Sequence, residues 1–289
     1  MQIQRQIPKL IEAHLFNSII LILLMLLYAP LLIYWYDGWL HKNINIEHEY
    51  FSHGLIGIPY SAYITYTHRH SWGKLPNLFH PLGAFLLTIA GIFYLSSLSD
   101  LVNLSFPIIL AGICLCFKGM PGLKLQGIPL LLTLLATPNY IPYLIEPYSL
   151  PLQHFIATIS GLILTKFGMD VRVEEIYLYV NGGIVEVAPH CAGLKMLFTS
   201  IYVSLMLLHW TGVLSFRKRS ILFLAIAIIA SLSANILRNT LLTLFYGTGR
   251  ETAFAWLHAG WGGDLYSACM LGMLVLLLNR MEKYFPTKA

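Results

Sequence analysis

Residues 217–247 read RKRSILFLAIAIIASLSANILRNTLLTLFYG. Three cations, Arg217, Lys218 and Arg219, stand before an apolar run that continues to about residue 245, and one further cation, Arg238, lies inside it. An α-helix rises about 1.5 Å per residue and a hydrocarbon core is about 30 Å thick, so a run of this length crosses a bilayer. The cluster marks the cytoplasmic end, because short loops rich in Lys and Arg stay inside. An Arg within such a run is costly in hydrocarbon and has to face protein or water. This stretch therefore gives a membrane helix, its direction and one polar position within it.

The rest of the chain follows the same pattern. It is 57% hydrophobic and 11% charged, with a mean hydropathy of +0.69. Soluble domains carry about 25% charged residues. The aromatic share of 13% suits a protein whose Trp and Tyr anchor the membrane interfaces. The composition predicts an all-α polytopic membrane protein of about eight transmembrane helices, one integral membrane domain over residues 1–289. Candidate spans lie at about 15–36, 53–67, 79–98, 102–117, 125–138, 190–212, 220–245 and 253–278. The first exceeds the 7–15 residues of a signal-peptide core and has no small-residue cleavage site after it, so it reads as a retained span. The net charge of +5 is accounted for by cytoplasmic loops and calls for no nucleic acid; the partner surface is membrane lipid.

With the N-terminus inside and eight crossings, 12 of the 18 Lys and Arg fall on the cytoplasmic side. Only Lys42, Lys166, Arg172 and Arg250 fall outside, and Lys195 and Arg238 stay within spans. This bias holds only if residues 141–168 do not cross. Pro142, Pro147 and Pro151 interrupt that segment, and its helical part from Leu152 to Phe167 carries Gln153, His154 and Lys166. It reads as an interfacial or re-entrant helix on the outer face, within an extracytoplasmic insertion at 139–190. The insertion ends in a short β-hairpin: β-branched and aromatic residues flank Asn181-Gly182-Gly183, a turn signal between strands.

The hairpin feeds into Pro189-His190-Cys191-Ala192-Gly193-Leu194, at the start of the sixth apolar run. Measured along continuous helices from the basic ends, Cys191 lies about 39 Å, Arg238 about 28 Å and His258 about 33 Å from the cytoplasmic face. All three reach the outer leaflet or outer interface on consecutive spans. A thiol, a guanidinium and an imidazole supply what thiol-based acyl transfer needs: a nucleophile in Cys191, an oxyanion donor in Arg238 and a general acid/base in His258. His190 competes as the base, and Lys195, one turn from Cys191, either snorkels or helps depress the thiol pKa. Cys114, Cys116 and Cys269 sit within apolar runs and read as packing residues. No Cys or His spacing suggests a metal, and nothing in the chain suggests a cofactor.

At these residues the chain resembles the exosortases and archaeosortases, multi-span cysteine transpeptidases. Their pattern of a Cys followed by a small residue and Gly, an Asn-x-x-Arg and a later His matches Cys191-Ala192-Gly193, Asn235 to Arg238, and His258. Tyr50-Phe51-Ser52-His53-Gly54 with Pro59 resembles the family's Ser-His-Gly segment, which adds Ser52, His53 and Asn235 as auxiliary candidates. Pro151-Leu152-Gln153 also fits. Ala192 departs from the Ser that many members carry there. The resemblance covers about residues 35–278. It implies cleavage of C-terminal sorting signals of exported proteins through a thioester. The partners would be membrane-anchored preproteins with a Pro-Glu-Pro-like motif, a transmembrane helix and a basic tail, plus an acceptor nucleophile. The setting it implies is a bacterial plasma (inner) membrane with the site on the extracytoplasmic side, a cyanobacterial branch among the options. Two other readings stand beside it: a purely hydrolytic intramembrane cysteine protease that uses the same residues, and a non-enzymatic transporter with Arg238 on its path. Transporters often carry repeats or paired broken helices, and no repeat is visible.

Overall fold

The structure, a computed structural model, describes residues 3–40, 50–188, 193–258 and 260–284. The chain forms two compact units, one of residues 1–49 and 61–138, the other of residues 50–60 and 139–289. The helices are α1 (Ile3–Leu40), α2 (Gly54–Thr67), α3 (Arg69–Lys74), α4 (Pro81–Tyr94), α5 (Ser99–Leu125), α6 (Gly127–Ala136), α7 (Ile141–Ile145), α8 (Leu150–Lys166), α9 (Leu194–Trp210), α10 (Arg217–Gly247), α11 (Glu251–His258) and α12 (Trp261–Tyr284). Between α8 and α9 lie three short strands, β1 (Val171–Glu174), β2 (Tyr177–Val180) and β3 (Gly183–Glu186).

Among the described residues four helical segments are long and apolar enough to cross a membrane: Ile22–Leu40 of α1, α5, α10 and α12. A fifth crossing results if α6 and the stretch Ile141–Lys166, bent by 70° at their junction, count as one. α4 and α9 are apolar but shorter. Helix length alone thus supports four or five spans rather than eight.

Several expected boundaries move, each for a local reason. The run at 102–117 continues through Lys118 to Leu125. The helix kinks at Gly119 (φ 60, ψ −152) instead of ending there. Lys118 is kept within the fold because its ammonium donates to Leu75 O and Asn77 Oδ1, both at 2.7 Å. The last candidate span, 253–278, is broken after His258 into α11 and α12. Glycines stand at 260, 262 and 263. A Cβ on Gly260 would lie 2.8 Å from Trp256 O, and one on Gly262 2.4 Å from the Trp256 ring, so the chain can fold back on Trp256 only without side chains there. The hairpin is in fact a three-stranded antiparallel sheet of order β1-β2-β3, with Val171 facing Val180 and Val180 facing Gly183. Its second turn has positive φ at both Asn181 (49°) and Gly182 (77°), the type I′ geometry that the Asn-Gly pair favours.

In the first unit α4 packs along α5 through small residues. A Cβ on Gly83 would stand 2.8 Å from the backbone N of Cys116. Such close backbone approach is how helices associate where lipid removes the hydrophobic drive. Two buried polar pairs lie inside this unit: Tyr28 with Ser105 at 2.9 Å, and Trp35 Nε1 donating to Asn103 at 2.8 Å. Large apolar side chains such as Ile22, Leu23, Leu26 and Ile33 point outward, as a lipid-facing surface requires.

The second unit carries the candidate site. α9, α10 and α12 meet around Leu208, Phe223, Ala227, Leu274 and Leu278. The sheet packs its buried face, Leu178 and Val187, on Ile156 and Ala157 of α8. It also docks on the end of α10: Asn181 Nδ2 donates to Gly247 O, and a Cβ on Gly183 would meet the Tyr246 ring at 2.4 Å. The sheet and the Arg217 cluster therefore lie at opposite ends of α10, whose 31 residues extend about 46 Å.

Candidate active site

Arg238 lies 21 residues along α10 from Arg217, about 32 Å up the axis. Its Nη2 points at the C-terminus of α11, 3.4 Å from both Leu257 O and His258 O. The last carbonyls of a helix have no intrahelical partner and carry the negative end of its dipole, so a guanidinium suits that position. These bonds are long, and Nε of Arg238 is buried with no partner among the described residues. Part of the donor capacity of this half-buried cation is therefore unspent.

His258 is the last residue of α11 and is exposed. Its ring stacks on Phe254, with centroids 5.2 Å apart and planes within 10°. It lines a cavity of about 140 Å³ together with Glu186, Asn239 and Tyr246. Arg238 and His258 thus share one locus, joined through the backbone of α11. The glycine break after His258 permits this.

Asn235 sits one turn before Arg238 and is 1% exposed. It packs against Gly193: a Cβ there would lie 2.6 Å from Asn235 Cγ, and Gly193 has φ +80°, which only glycine adopts without strain. Two independent constraints therefore call for glycine at 193. The carboxamide of Asn235 has neither Nδ2 nor Oδ1 satisfied among the described residues. A buried amide left so is costly, and native proteins rarely keep one without a reason. Its backbone carbonyl accepts from Asn239 Nδ2 at 2.9 Å.

Cys191 and His190 lie outside the described residues. Lys195 is half-buried in the first turn of α9. Ser52 and His53 form the turn into α2, and His53 is 5% exposed. The His53 ring lies 4.3 Å from that of Tyr202 on α9, and a Cβ on Gly57 would fall within 1.8 Å of the Tyr202 hydroxyl. The Ser-His-Gly segment is thus seated on α9. Glu186 and Asn239 were not singled out from sequence. Glu186 reads there as an ordinary strand residue, and only the docking of β3 beside α11 brings it to the cavity of His258.

The break after His258 also corrects the depth estimate. α9 is 17 residues, about 25 Å, and is followed by a left-handed Gly212 and a 3-10 turn rather than a helix running to Arg217. In α12, Trp261 lies 19 residues before Arg280, about 28 Å.

Among known protein families, the one described as Transmembrane exosortase matches residues 35–275. No curated protein and no solved structure gives a match.

Proposed function

Because the chain belongs to the transmembrane exosortase family, we propose that it is a membrane-embedded cysteine transpeptidase that cleaves the C-terminal sorting signals of exported preproteins. The observation that carries this reading is the packing of Gly193 on Asn235, one helical turn from Arg238. Cys191 is two residues from Gly193, and two residues of chain reach at most about 7 Å. We infer from this connectivity that the thiol acts beside the half-buried guanidinium and the carboxamide of Asn235.

The chemistry proceeds in two steps. The Cys191 thiolate, favoured by the cations beside it, adds to a peptide carbonyl. Arg238 stabilises the oxyanion with its unspent N–H groups, in a site where a preorganised donor is worth most. The C–N bond breaks, His258 protonates the leaving amine, and a thioester remains on Cys191. His258 then takes a proton from the acceptor nucleophile as it attacks the thioester; the C–S bond breaks and the Cys191 thiolate is restored. His190 is the competing base, and Lys195 assists the thiolate. Asn235 is a second donor to the oxyanion or to the Cys191 turn. Ser52 and His53 support the site through α9.

The proposed substrates are membrane-anchored preproteins with a Pro-Glu-Pro-like motif, a transmembrane helix and a basic tail. We place the enzyme in the plasma membrane with both termini and Arg217–Arg219 cytoplasmic, residues 139–190 extracytoplasmic, and the short helices completing eight crossings. The positions of the sheet and of Arg217 at opposite ends of α10 support this orientation. The test is to incubate purified protein with such a preprotein and search Cys191-containing peptides by mass spectrometry. An acyl adduct on Cys191 is expected. Cleavage that proceeds unchanged in Cys191→Ser would refute thiol catalysis, and release of product to water alone would make the enzyme a protease.

A further inference from the structure

The cavity beside His258 is lined by three consecutive residues of β3, Ile184, Val185 and Glu186. Successive side chains of a strand point to opposite faces, so what three consecutive residues share is the strand's edge. Among the described residues β3 pairs only with β2, and no strand pairs with its other edge. The pairing pattern identifies which backbone groups that edge presents. Val187 N–H donates to Ile176 O at 2.9 Å, so Val187 and, two residues earlier, Val185 turn their groups inward to β2. In an antiparallel ladder the residues between them turn outward. Ile184 and Glu186 thus turn an N–H and a C=O each away from β2, and both residues line the cavity and are exposed. The opposite edge of the sheet, β1, lies instead against α8, where Val173 packs on Gly161.

Donor and acceptor groups repeated at i and i+2 are complementary to one chemistry, an extended polypeptide backbone. We propose that the substrate's extended segment docks as a fourth strand on that other edge of β3, pairing with the main chain of Ile184 and Glu186. This rests on the peptidase reading above and adds to it the mode of recognition. Continuity with the candidate site favours substrate over any other occupant. His258 lines the same cavity, and in the sequence Cys191 follows β3, five residues beyond Glu186. Recognition through the main chain leaves side-chain selectivity to the few residues around it, among them Asn239, Tyr246 and Phe254.

The test removes one outward N–H. Ile184→Pro deletes that donor but no bond to β2, and proline is tolerated on edge strands. The protein is reconstituted in liposomes with a preprotein that ends in a Pro-Glu-Pro motif, an apolar span and an Arg-rich tail. Ile184→Pro is expected to accumulate, to keep Cys191 reactive to iodoacetamide, and to raise KM for processing roughly three- to tenfold, the effect of one hydrogen bond. In a second measurement, a benzophenone amino acid at position 184 is expected to crosslink the preprotein, and one at position 172 on β1 is not. If Ile184→Pro fails to accumulate, the crosslinks decide. Wild-type KM in Ile184→Pro, or equal crosslinking from 184 and 172, overturns strand docking and leaves the peptidase reading standing. A wild-type protein that never processes the preprotein overturns both.

Discussion

At the scale of single residues, catalysis and packing separate by substitution. Cys191→Ser keeps the volume but replaces the thiolate with an alcohol lacking a matched base. We expect normal accumulation and processing reduced by more than about 10³-fold, read as uncleaved precursor in membranes. Arg238→Lys keeps the charge and loses the planar fork, with an expected loss of roughly 10²–10³-fold in rate. Cys114→Ser and Cys269→Ser should leave processing within about twofold, since Cys114 is buried within α5, Cys269 is exposed on α12, and neither is assigned a chemical role. Gly193→Ala is a stability test. It meets Asn235 at 2.6 Å and forces a left-handed backbone that costs an L-residue about 1–2 kcal/mol. Its thermal midpoint in detergent should fall together with processing, and an unchanged midpoint would show that Asn235 has room to move.

Two elements depend on turns that particular glycines permit. The sheet holds its β2–β3 register through Asn181 and Gly182, both at positive φ. Gly182→Val places a β-branched residue where only a left-handed conformation closes the turn, a strain of order 1–3 kcal/mol. The expected result is faster proteolytic cutting between residues 167 and 189, with the rest of the chain intact. The second element is the break between α11 and α12. Gly262→Ala would collide with the Trp256 ring at 2.4 Å and push α11 away from Arg238. Processing should fall several-fold while the helix content seen by circular dichroism is kept. Loss of helix content instead would mean that the break supports the whole bundle.

For the whole molecule the decisive quantity is the separation of charge along α10. The Arg217 cluster at one end and the sheet at the other are about 46 Å apart, more than a hydrocarbon core of about 30 Å. They should therefore lie on opposite sides of the membrane. A cysteine introduced at Asn181, in a background lacking other reactive thiols, is expected to label with an impermeant reagent in intact cells. A cysteine at Ser215 is expected to label only after permeabilisation. The reverse pattern would invert the orientation and move the site to the cytoplasm.

The sequence alone determined the membrane class, the Asn-Gly turn and the membership of the transmembrane exosortase family. These follow from hydropathy, charge placement and local backbone preference, which are properties of short stretches. It misjudged what depends on partners distant in sequence. Lys118 looks like a loop cation until Leu75 and Asn77 supply acceptors for it inside the fold. Residues 253–278 look like one span until Trp256 requires glycines at 260 and 262. Only the tertiary structure seated Gly193 on Asn235, aimed Arg238 at the end of α11 and brought Glu186 to the cavity of His258. The physical reason is that apolar periodicity reports whether a residue meets lipid or protein, whereas close approach of two backbones depends on which helices pack together, a choice made by the whole bundle.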